Sequence, residues 1–158
     1  MDFQAKRISR SYRQTINATP DQVFPLICPV REAEWLEDWD FKMIYSQTGL
    51  AEEGAVFSTS YAGEEDTIWI ITKHDPIKHE VVFVRVTPAS RASILTVGIK
   101  EKDERSSYVD ITYTYTAITD AGNTFIDNYT EEFFQRNMKH WEKSMNFFLE
   151  TGNLLKAS

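Results

Sequence analysis

Residues 119–152, TDAGNTFIDNYTEEFFQRNMKHWEKSMNFFLETG, carry apolar side chains at helical spacing along most of their length. Phe125, Ile126, Tyr129 and Phe133 fall on one side, and Gly122 falls with them, where a missing side chain lets the backbone approach a neighbour closely. Met138, Trp141, Met145, Phe148 and Leu149 form a second stripe, displaced by roughly 120° at about 100° per residue. The pattern predicts one long helix, capped by Thr119 or Asp120, closed at Gly152 and roughly 48 Å long. One straight partner cannot cover both stripes. The first half is therefore expected over an open concave surface with Phe125, Tyr129 and Phe133 turned toward it, and the second half clamped, with Trp141 in the clamp. No single heptad register runs through both groups, which disfavours a coiled coil.

The rest of the chain reads mostly as strands. Residues 8–18, ISRSYRQTINA, alternate loosely and predict a first strand, stopped by Thr19, Pro20 and Asp21. Pro20 suits the first position of a short helix whose apolar face is Val23, Phe24, Leu26 and Ile27. A second short helix is expected at about residues 30–36, with Arg31, Glu32 and Glu34 on a solvated face and Trp35 and Trp39 docking the pair. Six β-like runs follow, at about 41–47, 55–62, 67–74, 80–87, 91–100 and 107–118. Their separators are Gly49 with Gly54, Gly63 with Glu64, Asp75 with Pro76, Pro88, and the charged loop 101–106. Links this short predict an antiparallel meander. In the last run Val109, Ile111, Tyr113, Tyr115 and Ala117 alternate with polar residues, so one face is buried and the other wet. Only the C-terminal helix is long enough to cover such a sheet.

Composition narrows the picture. The length of 158 residues predicts a single domain, 1–158, with a core of its own. One cysteine, Cys28, excludes an internal disulfide and a cysteine-based zinc site, which fits a reducing, cytoplasmic setting. Residues 1–7 lack the apolar run of a signal peptide, and no stretch nears the ~18 apolar residues of an integral membrane segment. A net charge of -7 argues against nucleic acid or an anionic membrane as the main partner. Aromatic residues make up 13% of the chain, and in an acidic protein they are expected to be buried or to line a cavity.

Catalytic signatures are scarce. His74, His79 and His140 lie far apart, no metal-ligand spacing occurs, and neither GxGxxG nor GxxxxGK[ST] is present, so neither metal nor cofactor is expected. Cys28, between Ile27 and Pro29, reads as a small buried hydrophobe. His74 reads as a turn residue beside Asp75, or as a proton shuttle if it stands at a cavity mouth. Arg85 depends on register. If Val81 and Phe83 point inward, Arg85 does too and needs an anionic partner, from the protein or from a ligand. If Val82, Val84 and Val86 point inward, Arg85 is solvated, and the valines are the cleaner apolar set. Tyr113, Tyr115 and Tyr129 can supply polar tips to an apolar pocket.

The strings CPVREAEWLEDW at 28–39, VVFVRVTP at 81–88, TDAGNTFIDNYTEEF and FFLETG resemble the START and Bet v 1-like (SRPBCC) superfamily, in particular its polyketide cyclase/dehydrase and lipid transport group. The resemblance covers nearly the whole chain. It implies an α+β helix-grip fold, in which a curved seven-stranded antiparallel sheet (β-α-α-β6-α) wraps a long C-terminal helix around a hydrophobic cavity. It also implies binding or carriage of a hydrophobic small molecule, by a monomer or homodimer. Two other readings follow from the same group: a cyclase- or dehydratase-type enzyme using Arg85, His74 and Tyr113, and a protein-interaction domain related to Hsp90 activators. The expected ligand-binding residues are Trp69, Phe83, Arg85 and Tyr113 from the strands, facing Phe125, Tyr129 and Phe133 from the helix.

Overall fold

A computed structural model describes residues 2–157. Strand β1 (Arg7–Ile16) leads into helix α1 (Pro20–Val23), a 3₁₀ turn (Phe24–Leu26) and helix α2 (Pro29–Trp35). Strands β2 (Phe41–Tyr45), β3 (Val56–Thr59), β4 (Thr67–Asp75), β5 (Glu80–Thr87), β6 (Arg91–Asp103) and β7 (Ser106–Ala117) follow, then helices α3 (Asp120–Asn128) and α4 (Glu131–Thr151). The strands form one seven-stranded antiparallel sheet in the order β1-β7-β6-β5-β4-β3-β2. The charged loop expected at 101–106 is mostly strand: β6 and β7 continue into it, with a register shift between Glu101 and Asp103.

Cross-strand register sorts the inward face into rows. Val81, Val97, Ile111 and Tyr12 are successive partners across β5, β6, β7 and β1, and the three aliphatic members are at most 2% exposed. Toward the other end of the sheet the rows change character. One runs Ile71, Phe83, Leu95, Tyr113, Arg10, and the next runs Phe57, Trp69, Arg85, Ser93, Tyr115. The inner face is thus dry and aliphatic at one end and aromatic with polar tips at the other.

This register overturns the valine expectation. Val82, Val84 and Val86 point outward, and with Ile70 and Ile94 they form the outer face, where Ile70 and Ile94 are each 40% exposed. An apolar run does not choose its face by purity alone. The side that buries Phe83 and Val81 wins because their partners Leu95 and Val97 are buried on the same side.

The expected single helix is two. Tyr129 leaves the helical conformation at φ -88°, ψ 79°, and Thr130 starts again as an N-cap, its side chain accepting from the Phe133 N–H at 3.1 Å. Arg10 meets the interruption, donating from Nε and Nη2 to the freed Tyr129 carbonyl at 3.1 and 2.8 Å and from Nη1 to Glu131 at 2.8 Å. The two stripes separated by roughly 120° therefore belong to two axes, not to one twisted surface. Gly152 closes α4 in the left-handed conformation at φ 75°, as expected.

Each helix is fixed to its own part of the sheet. Along β1 and just past its end, Gln14 donates to the Met138 carbonyl at 2.9 Å, Thr15 N–H to Glu142 at 2.6 Å, and Asn17 N–H to Asn146 at 2.8 Å. At the start of α3, Gly122 faces inward so tightly that a Cβ there would lie 1.9 Å from the Ser90 carbonyl oxygen. Trp35 is fully buried and donates to the Leu26 carbonyl at 3.0 Å, and Trp39 donates to the Pro29 carbonyl at 2.8 Å, so both dock the short helices as expected.

Candidate functional site

Between the aromatic rows of the sheet, α2, α3 and the first half of α4, the chain leaves a cavity of about 600 Å³. Its sheet wall is Trp69, Phe83, Arg85, Ser93, Leu95, Tyr113 and Tyr115, and its helix wall is Phe125, Tyr129, Phe133, Met138 and Trp141. Ile27, Glu32, Leu36 and Trp39 close one side. The rings are locked against one another. Phe57 stacks on Trp69 at 5.1 Å, Trp69 meets Phe83 edge-on at 5.7 Å, and Tyr115 lies 4.8 Å from Tyr129. Rings braced in this way make rigid plates, which hold a gap open instead of collapsing into it.

Two arginines border the cavity, and Arg85 is the one whose partners are not carboxylates. Its Nε donates to the Ser93 hydroxyl at 2.9 Å and its Nη2 to the Tyr115 hydroxyl at 2.8 Å. Trp69, Tyr113 and Tyr115 surround the guanidinium carbon, with ring centroids at 4.6, 5.2 and 5.4 Å. Burial works against its charge, but the Tyr115 and Tyr113 oxygens more than offset that, so it stays protonated. Burial also pushes the Tyr113 and Tyr129 hydroxyls well above the usual phenol range, which keeps both neutral.

Glu32 corrects the expectation of a solvated face. It is only 9% exposed, because Pro29, Glu32 and Trp35 recur every third residue and that face of α2 turns inward. Burial raises its carboxyl to about 8, so it stands protonated on the cavity wall at neutral pH. The sequence held a signal for this. Trp35 reads as a docking residue, and a residue three positions before it on a short helix shares its direction.

All seven expected ligand-binding residues, Trp69, Phe83, Arg85, Tyr113, Phe125, Tyr129 and Phe133, border this one cavity. Phe133 departs from its expected place: it is 43% exposed and packs edge-on against Tyr129 at the rim, while its neighbour Phe134 is fully buried. Sequence reasoning missed Glu32, Ser93, Leu95 and the Arg91–Glu64 pair. Arg91 donates to Glu64 at 2.6 Å and lies 3.5 Å from the Phe125 ring centroid, tying the β3–β4 loop across to α3. Of the groups considered for proton transfer, Arg85 and Tyr113 reach the cavity and His74 does not. His74 packs on Phe24 at 5.0 Å, and burial lowers its pKa. Cys28 is buried and its Sγ accepts from the Ala51 N–H at 3.3 Å. No group of three or more metal-ligating side chains occurs among the described residues, and no described helix is long and apolar enough to cross a membrane.

No protein-family model and no curated protein matches the chain. Solved structures do match. Norcoclaurine synthase from Thalictrum flavum superposes with a TM-score of 0.66 over 93% of this chain and 88% of that one, at 7% identity. Ara h 8.0201 gives 0.64 over 92% and 99%, at 11% identity. The di-domain ARO/CYC BexL from the BE-7585A biosynthetic pathway gives 0.69 over 90% of this chain and 47% of that one, at 12% identity. These likenesses establish the fold: a Bet v 1-like helix-grip, as the sequence resemblance implied.

Proposed function

We propose that this protein binds or carries a hydrophobic small molecule in the cavity between the sheet and helices α3 and α4. The observation that carries the reading is the cavity itself, about 600 Å³ of space walled by braced aromatic rings with a few convergent polar groups. Burying about 300 Å² of apolar ligand would contribute around 7 kcal/mol before the costs of association, so micromolar affinity needs no special chemistry. A protein of this fold, norcoclaurine synthase, has been captured in complex with dopamine and hydroxybenzaldehyde, which is consistent with small aromatic guests.

The test is native mass spectrometry of freshly purified protein, followed by titration with a neutral probe such as N-phenylnaphthylamine. A co-purifying mass, or saturable probe binding that is lost in Leu95→Trp, is the expected result. Leu95 is 4% exposed and borders the cavity, so the larger ring would occupy the space. Absence of both leaves the container reading without support and favours a role for the outer surface.

Glu32 favours one second reading, an enzyme of the cyclase or dehydratase kind. A carboxyl held near 8 can give and take a proton at neutral pH, which is what general acid–base catalysis requires. A pH–rate profile with a limb near that value, abolished in Glu32→Gln, would separate catalysis from carriage.

A further inference from the structure

We propose that the molecule held in this cavity is an amphiphile with a carboxylate or similar oxyanion, and that this anionic group seats on Arg85. The inference rests on the container reading and adds the ligand's charge and its point of attachment.

A guanidinium has five N–H donors in a planar fork. Arg85 uses one on Ser93 and one on Tyr115, so three, including both on Nη1, have no acceptor among the described residues. It forms no ion pair among them either, whereas Arg10, Arg13, Arg31 and Arg91 each meet a carboxylate within 2.8 Å. Arg85 is half-buried, and a cation partly withdrawn from water is favoured by a nearby anion, which offsets the hydration it has lost. Here every carboxyl bordering the cavity is placed elsewhere. Glu64 is taken by Arg91, Glu37 accepts from the Ala157 N–H at 2.7 Å, Asp38 is exposed, and Glu32 is kept neutral. The protein thus sets a fixed cation in an aromatic wall and withholds its own anions from it. Ser93 and Tyr115 take the Nε and Nη2 donors, Arg85 borders the cavity, and the end of the fork that carries Nη1 is the part on which a planar oxyanion can accept two parallel bonds.

The experiment compares matched ligands by calorimetry: dodecanoate against methyl dodecanoate, and naphthylacetate against its methyl ester. In the parent protein at least one acid is expected to bind about tenfold or more tighter than its ester. In Arg85→Met that preference should vanish while ester binding persists, and Arg85→Lys, which keeps the charge but not the fork, should retain part of it. Circular dichroism confirms that each variant is folded. If Arg85→Met does not fold, the Lys variant and the acid–ester comparison in the parent decide alone. Esters that bind as well as acids, or a preference that survives Arg85→Met, would overturn the anion site and leave the container standing. If neither acids nor esters bind, the anion site falls, and the container stands or falls on the co-purifying mass and the neutral probe.

Discussion

Trp35 and Trp141 stack with ring centroids 5.9 Å apart and 26° between their planes, and this contact joins α2 to α4. Trp35 is fully buried and Trp141 is 8% exposed, so the pair forms the clamp expected for the second half of the C-terminal helical segment. Trp141→Ala is expected to destabilise by about 3–5 kcal/mol, the range for losing a large buried ring, as read by denaturant titration. A loss below about 1 kcal/mol would mean that α4 is held by β1 alone.

Gly122 permits no side chain. With the Ser90 carbonyl oxygen 1.9 Å from where a Cβ would stand, Gly122→Ala forces α3 away from the β5–β6 turn. A gain in intrinsic helix propensity of up to about 1 kcal/mol opposes this, but overpacking costs about 1–3 kcal/mol and the obstacle is backbone. The expected outcome is a net loss of thermal stability. A more stable variant would show that α3 can lift without cost.

Thr130 separates α3 from α4. Its hydroxyl accepts from the Phe133 N–H, and Thr130→Ala is expected to cost about 1 kcal/mol through the lost cap. Thr130→Ser should cost almost nothing, and hydrogen exchange of the first turn of α4 should rise only in the alanine variant. Equal exchange in both variants would argue that Arg10, not the cap, holds the junction.

The strand order was legible because alternation and turn residues act locally. Val109 to Ala117 declared its faces without help from the rest of the chain. The helix break was half legible: two stripes on different sides of one segment are what two axes produce, but Thr130 within an unbroken apolar pattern reads as an ordinary helical threonine. Glu32 was hidden, and the direction of Arg85 left open, for a shared reason. Pattern reading assigns charge to solvent, and a cavity wall is the place where a folded chain keeps polar groups inward. At β5 the valines offered the cleaner apolar face, and only the partners of Phe83 and Val81 on β6, distant in sequence, decide against it.

Glu32 gives the clearest pH signature. Its carboxyl stands at about 8 in the folded chain against 4.5 as the ordinary value, and burial is the cause. Below pH 4.5 both states are protonated and the group adds nothing. Between those values the folded state keeps a proton that the unfolded state releases, so stability falls as pH rises, by about 1.4 kcal/mol per unit. Above pH 8 the deficit levels off at about 5 kcal/mol. Glu32→Gln preserves the shape and cannot ionise. The difference in unfolding free energy between variant and parent is therefore expected to shift toward the variant by several kcal/mol from pH 5 to pH 8. Any fixed gain or loss from the amide cancels in that shift, as do all groups common to both proteins. A difference that stays constant across this range would place Glu32 in contact with water or a cation, and it would remove the basis for proton transfer in the cavity.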